Sequence, residues 1–219
     1  MRQIVLACLI LLAGARAHAE ILTPLSYDMP NGDGVASGGT FNYWDAHYTG
    51  SGNTRADGSS LSGGLGALTD GVTSNRSWMD VEDNSGTGPF VGWFHLDPTI
   101  TFHFANAFAY RAVRIHVDDS DTGGVSAPSA ITVGDGVHSQ TFPVTAPGVG
   151  LPPFWVEVDV SNLGLTGDQI NVTLARRSDW VLADEVQFLG VSTPEPASLT
   201  LFGLGIIGIL GLKIKRGWV

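Results

Sequence analysis

Cysteine is almost absent from this chain of 219 residues. The single thiol, Cys8, lies in an apolar stretch at the N-terminus. One cysteine cannot form a disulfide within the chain, and it excludes zinc sites built from several cysteines. Because Cys8 is predicted to leave with a signal peptide, the remaining chain would have no cysteine nucleophile. A domain of this size forms its own hydrophobic core without disulfides.

Basic residues are scarce in the body of the chain. Of the 11 basic and 21 acidic residues, five basic residues and one acidic residue lie outside residues 20–193. This leaves six arginines, no lysine and twenty carboxylates, a net charge of −14. Such a surface repels phosphate backbones, so we expect no binding to nucleic acid. Acidic surfaces suit calcium and neutral ligands such as sugars, and they are equally typical of proteins that are simply soluble.

Sequence patterns of catalysis are also missing. The histidines of the body show neither H-x-x-x-H nor H-x-H spacing, and there is no G-x-S-x-G motif for a nucleophilic serine. On a strand, Glu157 and Asp159 would share one face about 7 Å apart, as in a glycosidase pair. Alternating acids on a solvent-facing strand explain these two residues more simply. We therefore predict that the protein is not an enzyme.

The N-terminus has the parts of a secretory signal peptide in the required order. Arg2 supplies positive charge, residues 4–13 form an apolar core, and Ala17 and Ala19 are the small residues at −3 and −1 of a cleavage site. The apolar core is too short to span a bilayer. The alternative is a buried N-terminal helix. We predict a signal peptide at residues 1–19 and export of the remainder.

The C-terminus combines an apolar stretch with positive charge. Residues 197–212 are uncharged. As a helix with a rise of about 1.5 Å per residue they would span roughly 24 Å, slightly less than the bilayer core of roughly 30 Å. Lys213, Lys215 and Arg216 follow, and this cluster would stay in the cytoplasm and leave the body outside. We therefore predict a transmembrane helix at 197–212.

The last 27 residues carry a recognisable combination of features. Pro194, Glu195 and Pro196, the Gly- and Leu-rich helix and the short basic end resemble a PEP-CTERM sorting signal over residues 193–219. The resemblance implies export in a Gram-negative bacterium that makes extracellular polysaccharide, with processing near the Pro-Glu-Pro motif by an exosortase in the membrane. The implied destination is the cell surface or the extracellular matrix. An ordinary single-pass anchor would give the same topology without processing.

The body, residues 20–192, has the size of one domain. Residues 27–92 are rich in glycine, serine, asparagine and aspartate, so we expect long loops there with one or two short strands. After Pro98 apolar and polar residues alternate. The alternating apolar sets are Ile100, Phe102 and Phe104; Val113, Ile115 and Val117; Ile131 and Val133; Val156, Val158 and Val160; Ile170, Val172 and Leu174; and residues 180–189. Short alternating runs without a long helical period predict an all-β, antiparallel sandwich.

The body carries several short motifs, namely Leu68-Thr69-Asp70-Gly71, Trp78, residues 98–102, residues 112–115 and residues 183–188. Together they resemble the galactose-binding-like jelly roll of discoidin and coagulation-factor C-type domains and of many carbohydrate-binding modules. The cysteine pair usual in that family is absent here. The resemblance implies a jelly-roll sandwich, which the signal peptide and the transmembrane helix would flank.

The same resemblance implies a structural calcium site. In that family an Asp-Gly loop after the first strand and a Glu in the last strand meet at one edge of the sandwich and bind Ca²⁺. The matching side chains are Asp70 and Glu185, and backbone carbonyls would come from around Ala67, Val72, Ser77 and Asp184. Calcium takes about six to eight such oxygens. Without metal, Asp70 would cap a turn and Glu185 would hydrogen-bond a loop.

Two further groups are candidates for ligand binding. The acidic run at 118–121 is either a second calcium or ligand loop or a solvated turn. A sugar would be recognised by aromatic faces with polar groups around them. Candidates in the loop-rich part are Trp44, Tyr48, Trp93 and His95, with Arg76 nearby, whereas Trp78, Trp155 and Trp180 are expected to pack in the core or at its edge.

These expectations combine into one predicted function. The protein would be an exported surface or matrix protein, sorted by its tail, whose calcium-stabilised sandwich binds carbohydrate, with extracellular polysaccharide as a partner. The alternative is a structural matrix or envelope protein that has no specific sugar ligand.

Overall fold

The structure is a computed structural model that describes residues 19–34, 40–145, 148 and 150–193. These residues form ten strands, one short 3-10 helix at Ala67–Thr69 and one short α-helix, α1, at Trp78–Val81. The strands are β1 (Glu20–Leu22), β2 (Ser26–Pro30), β3 (Ser60–Gly64), β4 (Val91–Phe94), β5 (Thr99–Asp119), β6 (Ala130–Gly134), β7 (Ser139–Pro143), β8 (Leu151–Asp159), β9 (Thr166–Ala175) and β10 (Trp180–Ser192). The all-β prediction is confirmed.

Strand β5 belongs to both layers of the sandwich. Its first part pairs with β2 and β9, and its second part pairs with β8 and β10. All the strand pairs are antiparallel, and the β5–β9 register shifts between His103 and Phe108, where β5 turns from one layer into the other. One layer has the order β3-β2-β5-β9-β6-β7, and the other has β8-β5-β10 with β1 and β4 along the far side of β10. This is the predicted jelly-roll sandwich.

The main core lies between the two layers. Phe102 from the first part of β5 contacts Phe188 of β10, with ring centroids 4.7 Å apart, and both side chains are fully buried. Phe104 meets the same ring edge-on at 5.3 Å. Burying a phenylalanine contributes about 1.5–3 kcal/mol, so the alternating apolar residues hold the layers together.

The loop-rich part covers the outer face of the second layer near one end. For this reason His116 and Asp118, the polar partners in the alternating run of β5, are buried as well. A second, smaller cluster of buried side chains forms between these loops and β10. It consists of Tyr43, Trp78, Phe90, Val125, Trp180 and Leu182. The packing of this second cluster holds the loops at the end of the sandwich where β4 ends and β10 begins.

The predicted terminal segments fall outside the described residues. These are the signal peptide up to residue 18, with Ala17 but not Ala19, the motif Pro194-Glu195-Pro196, and the helix predicted at 197–212. Within the described part of the chain, no helix is long and apolar enough to cross a membrane. The predicted boundaries of the three segments therefore stay predictions.

Candidate functional site

A cavity of about 320 Å³ opens among the loops at the end of the sandwich where β4 ends and β10 begins. Its wall combines aromatic rings with carboxylates. The volume falls in the lower part of the range of about 300–1,000 Å³ that is typical of small-molecule sites. A compact ligand with both apolar and polar faces suits such a lining.

The aromatic wall is built on the pairing of β10 with β4. Trp180 stands opposite Phe94 in that pairing, and their ring centroids are 4.8 Å apart. Tyr43 packs against Trp180 at 5.0 Å and against Trp78 at 5.8 Å. Three of these rings are buried, but Phe94 is 46% exposed. The packed rings hold the wall rigid, and Phe94 offers its surface to a ligand.

Trp78 packs behind the aromatic wall and is only 5% exposed. The edge of its ring lies toward Gly123 in the cavity wall, where an added Cβ would be 3.1 Å from Trp78 Cζ2. Its indole Nε1–H has no partner among the described residues, and the nitrogen itself is buried. The donor is therefore not exposed to a molecule in the cavity.

Three aspartates form the polar part of the wall. Asp33 Oδ2 accepts the backbone N–H of Phe94 at 2.7 Å, which ties the carboxylate to the aromatic wall. Asp57 Oδ1 accepts the N–H of Gly34 at 2.7 Å and the indole N–H of Trp44 at 2.8 Å. Asp179 comes from a distant part of the chain and directly precedes β10.

These aspartates keep acceptor capacity for a ligand. Asp179 Oδ1 is 3.5 Å from Nε2 of His95, and both side chains are largely exposed. Among the described residues, the second carboxylate oxygens of Asp33, Asp57 and Asp179 make no hydrogen bond. Burial raises the pKa of Asp33, and the charge of Asp57 raises it further. The cavity is thus a concentration of negative charge with free acceptors.

The predicted ligand-binding residues separate into two groups. Trp44 and His95 lie beside the cavity, where they contact Asp57 and Asp179. Arg76 is exposed elsewhere, with Nε 3.5 Å from Asp80 on α1.

Tyr48 and Trp93 require a correction because they belong to the core. Trp93 is fully buried, and its Nε1–H donates to the carbonyl of Pro30 at 2.8 Å. The buried Tyr48 hydroxyl donates to the carbonyl of Tyr27 and accepts the N–H of Gly64. Neither ring presents a face to a ligand.

Sequence reasoning missed most of the cavity wall. Phe94 and the three aspartates were not among the candidates, and Trp180 was assigned to packing alone. Trp180 does pack in the second cluster, yet one side of it lines the cavity. The positions of two residues at strand ends could have indicated the site. Phe94 ends β4 and Trp180 begins β10, and these two residues pair at one end of the sandwich.

The two predicted calcium side chains meet the same loop. Glu185 Oε2 accepts the N–H of Gly71 at 3.0 Å, and Asp70 Oδ1 accepts the N–H of Val72 at 2.8 Å. Burial raises the pKa of Glu185 to about 7, and the nearby negative charge of Asp70 adds to the rise. These two hydrogen bonds are the ones expected of the carboxylates in the absence of metal. A cation bound between Asp70 and Glu185 would relieve the repulsion between their negative charges.

A calcium site at this position could use only a few side chains. Within the described chain, no three His, Cys, Asp or Glu side chains lie close enough to hold a metal ion. The Asp184 carboxylate is already used, because it accepts the N–H of Ser74 at 2.7 Å and lies 2.6 Å from His116 Nδ1. A calcium ion would therefore need the two carboxylates and backbone oxygens from the stretches around Ala67, Val72, Ser77 and Asp184, a donor mixture that calcium accepts.

The acidic run at 118–121 is only partly solvated, because Asp121 is exposed and the residues before it are not. Asp118 and Asp119 are fully buried. Asp118 accepts the N–H groups of Trp78 and Ser120 at 2.7 Å each, and Asp119 accepts that of Ala127 at 2.8 Å. These carboxylates anchor α1 and the loop after β5, and so they position Trp78 at the cavity.

Similar solved structures include several sugar-related proteins. One is a fucolectin from striped bass (Morone saxatilis) serum, with 14% identity, 83% of this chain and 51% of that chain covered, and a TM-score of 0.47. A second is an F5/8 type C domain from Bacteroides fragilis, with 7% identity, 80% and 99% covered, and a TM-score of 0.45. A third is the family 32 CBM of NanJ from C. perfringens in complex with galactose, with 9% identity, 46% and 75% covered, and a TM-score of 0.31. The chain thus spans about half the length of the fucolectin.

Family models cover both the body and the tail. Among proteins with curated descriptions, none matches the chain. A model of the PEP-CTERM protein-sorting motif matches residues 192–216, which confirms the resemblance of the tail and implies an exported protein processed at a membrane. The model described as "Discoidin domain-containing receptor 1/2, DS-like domain" matches residues 24–190, most of the chain. The protein therefore belongs to the discoidin DS-like domain family.

Proposed function

We propose that this protein is an exported, non-catalytic carbohydrate-binding protein and that the cavity between β4 and β10 is its sugar site. The observation that carries the proposal is the lining of the cavity. Packed aromatic rings, among them the half-exposed Phe94, and three carboxylates with free oxygens line the same space of about 320 Å³.

The lining matches the chemistry of a pyranose. A sugar ring has an apolar face, which packs on an exposed aromatic surface such as that of Phe94, and it has polar edges. Its hydroxyl groups would donate to the free carboxylate oxygens of the aspartates. A sugar therefore matches the aromatic and the carboxylate groups of the wall together.

Two acids considered for catalysis have local roles. Glu157 Oε2 lies 3.2 Å from Arg114 Nε, and Asp159 accepts the N–H of Ser161 at 2.8 Å. Neither residue lines the cavity. Binding without turnover is therefore the proposed activity.

We further propose that calcium stabilises the domain and that the tail sets its location. Asp70 and Glu185 would hold calcium between the loop after the 3-10 helix and β10. The sorting motif would be processed by an exosortase while the C-terminal helix holds the protein in the membrane. The destination would be the surface or polysaccharide matrix of a Gram-negative cell.

The sugar site is tested on a glycan array that includes the polysaccharide of the producing cell. We use the full-length chain in a detergent without a sugar headgroup. Saturable binding that is lost in Phe94→Ala and kept in Leu25→Ala, an even more exposed apolar control that does not line the cavity, supports the site. No saturable binding to any sugar would leave a structural matrix protein as the better account.

A further inference from the structure

We infer that the cavity is selective for a sugar that carries a free ammonium group, an amino sugar of the deacetylated hexosamine class. The inference rests on the proposed function and names the chemical class of its ligand. Neutral sugars would bind more weakly in the same place, and acidic sugars would be excluded.

The first argument is the uncompensated charge of the wall. Asp33, Asp57 and Asp179 line the cavity, and no lysine or arginine lines it. Asp33 and Asp57 are near enough for the charge of one to raise the pKa of the other. His95 lies beside the wall, with Nε2 3.5 Å from Asp179 Oδ1. A uronic acid placed here would add a fourth negative charge, whereas an ammonium group would offset those present.

None of the six arginines of the described chain lines the cavity. Three of them pair with acids that do not line it either: Arg76 with Asp80, Arg114 with Glu157 and Arg176 with Asp97. Arg177 donates to backbone carbonyls, including that of Val144 at 2.6 Å. The wall of the cavity thus contains three aspartates and no arginine to offset their charge.

The second argument concerns the nature of the positive group. No three acidic or histidine side chains of the described chain are close enough to hold one metal ion. We therefore assign the positive charge to an ammonium group of an organic ligand.

The third argument is the aromatic surface. An ammonium group placed over the open face of Phe94 is attracted by the ring electrons, and it is attracted by the aspartates as well. An amino sugar combines this cation with hydroxyl oxygens and an apolar ring face. Each class of wall group then has a matching group on the ligand.

The test compares sugars that differ from one parent sugar at a single substituent and that carry positive, no or negative charge. Calorimetric titrations of the full-length chain use glucosamine, N-acetylglucosamine, glucose and glucuronic acid, and the corresponding galactose series. In the series that fits, we expect the free amine to bind at least about tenfold tighter than its N-acetyl form, a difference of about 1.4 kcal/mol. Raising the salt concentration toward 1 M should reduce this preference, because charge attraction is screened.

Isosteric variants locate the source of the preference. Asp57→Asn and Asp179→Asn remove a charge but keep the oxygen that accepts present contacts, so the preference for the amine should fall several-fold in each. Asp168→Asn makes the same change of charge at an exposed position that does not line the cavity, and it should leave the preference unchanged.

The outcomes separate this inference from the function on which it rests. If neutral sugars bind as tightly as the amines, or if the asparagine variants keep the full preference, the charge selectivity is wrong and the sugar site stands. If acidic sugars bind best, the inference is also overturned. If no sugar of either series binds, the proposed function is wrong, and the inference that rests on it is wrong as well.

Discussion

The Glu185 carboxylate accepts the backbone N–H of Gly71 at 3.0 Å and so joins residues 114 positions apart in sequence. This bond ties the loop-rich first part of the domain to its last strand. The negative charge of Asp70 lies close to the same carboxylate and opposes its ionisation. A cation bound between the two carboxylates would replace this repulsion by attraction.

Calcium should therefore raise the thermal stability of the full-length chain. At a calcium concentration of 100 times Kd, binding to the native state alone adds about 2.7 kcal/mol to the free energy of unfolding. The midpoint of thermal unfolding is measured with calcium and then with excess EDTA. Glu185→Ala should abolish the shift, while Glu157→Ala, an exposed acid paired with Arg114, should keep it. Equal midpoints in calcium and EDTA would remove Asp70 and Glu185 as metal ligands.

Glu82 should make the protein less stable as the pH rises. Burial raises the pKa of its carboxyl to about 8, against a usual 4.5, and the charges of Asp83, Asp184 and Asp118 add to this rise. Its Oε1 accepts the N–H of Phe90 at 2.8 Å, but its buried Oε2 has no partner among the described residues. The folded chain thus keeps a proton that the unfolded chain releases between about pH 4.5 and pH 8. The stabilisation is complete below this window and is lost as the pH rises through it.

Substitution of Glu82 by glutamine tests this directly. Glu82→Gln keeps an oxygen for the N–H of Phe90 and cannot ionise, so its stability should fall less between pH 5 and pH 8 than that of the wild type. The difference should be on the order of a few kcal/mol. Urea midpoints measured at both pH values in EDTA give the comparison, with Glu157→Gln as a surface control. A variant profile parallel to that of the wild type would show that Glu82 ionises normally.

Neighbouring aromatic residues on β4 should have opposite roles. Trp93→Ala removes a fully buried ring and leaves the carbonyl of Pro30 without its donor, so we expect a loss of about 3–5 kcal/mol in unfolding free energy. Phe94→Ala removes a half-exposed ring, and the loss should be about 1 kcal/mol. The effect on sugar binding should be the opposite. Among molecules that remain folded, Phe94→Ala should lose binding and Trp93→Ala should keep it. Calorimetry with denaturant titration measures both quantities, and normal sugar binding by Phe94→Ala would place the site elsewhere.

The sequence predicted the sandwich better than it predicted the cavity, and the reason is physical. Alternation at Ile100, Phe102 and Phe104 reports which face of a strand is buried, and this local signal was read correctly. The site depends on loops that come together only after folding. Asp33 and Asp57 lie in glycine-rich loops, where the sequence alone does not indicate which way a side chain points. Trp93 could likewise not be distinguished, from sequence alone, from an exposed tryptophan in such a segment. The meeting of Asp70 with Glu185 was predicted through a family resemblance, because nothing local relates residues so far apart.

The sorting tail makes a prediction that is independent of the ligand. Processing near Pro194-Glu195-Pro196 should release the body from the membrane-spanning helix predicted at 197–212. Replacing the three residues by alanine should therefore leave a longer form in the membrane fraction of the producing cell, detected with an antibody against the body. Pro98→Ala, a change outside the tail, serves as the control for effects of expression and folding. If the altered tail is still shortened and released, cleavage does not depend on this motif, and the predicted C-terminal helix is removed by another route.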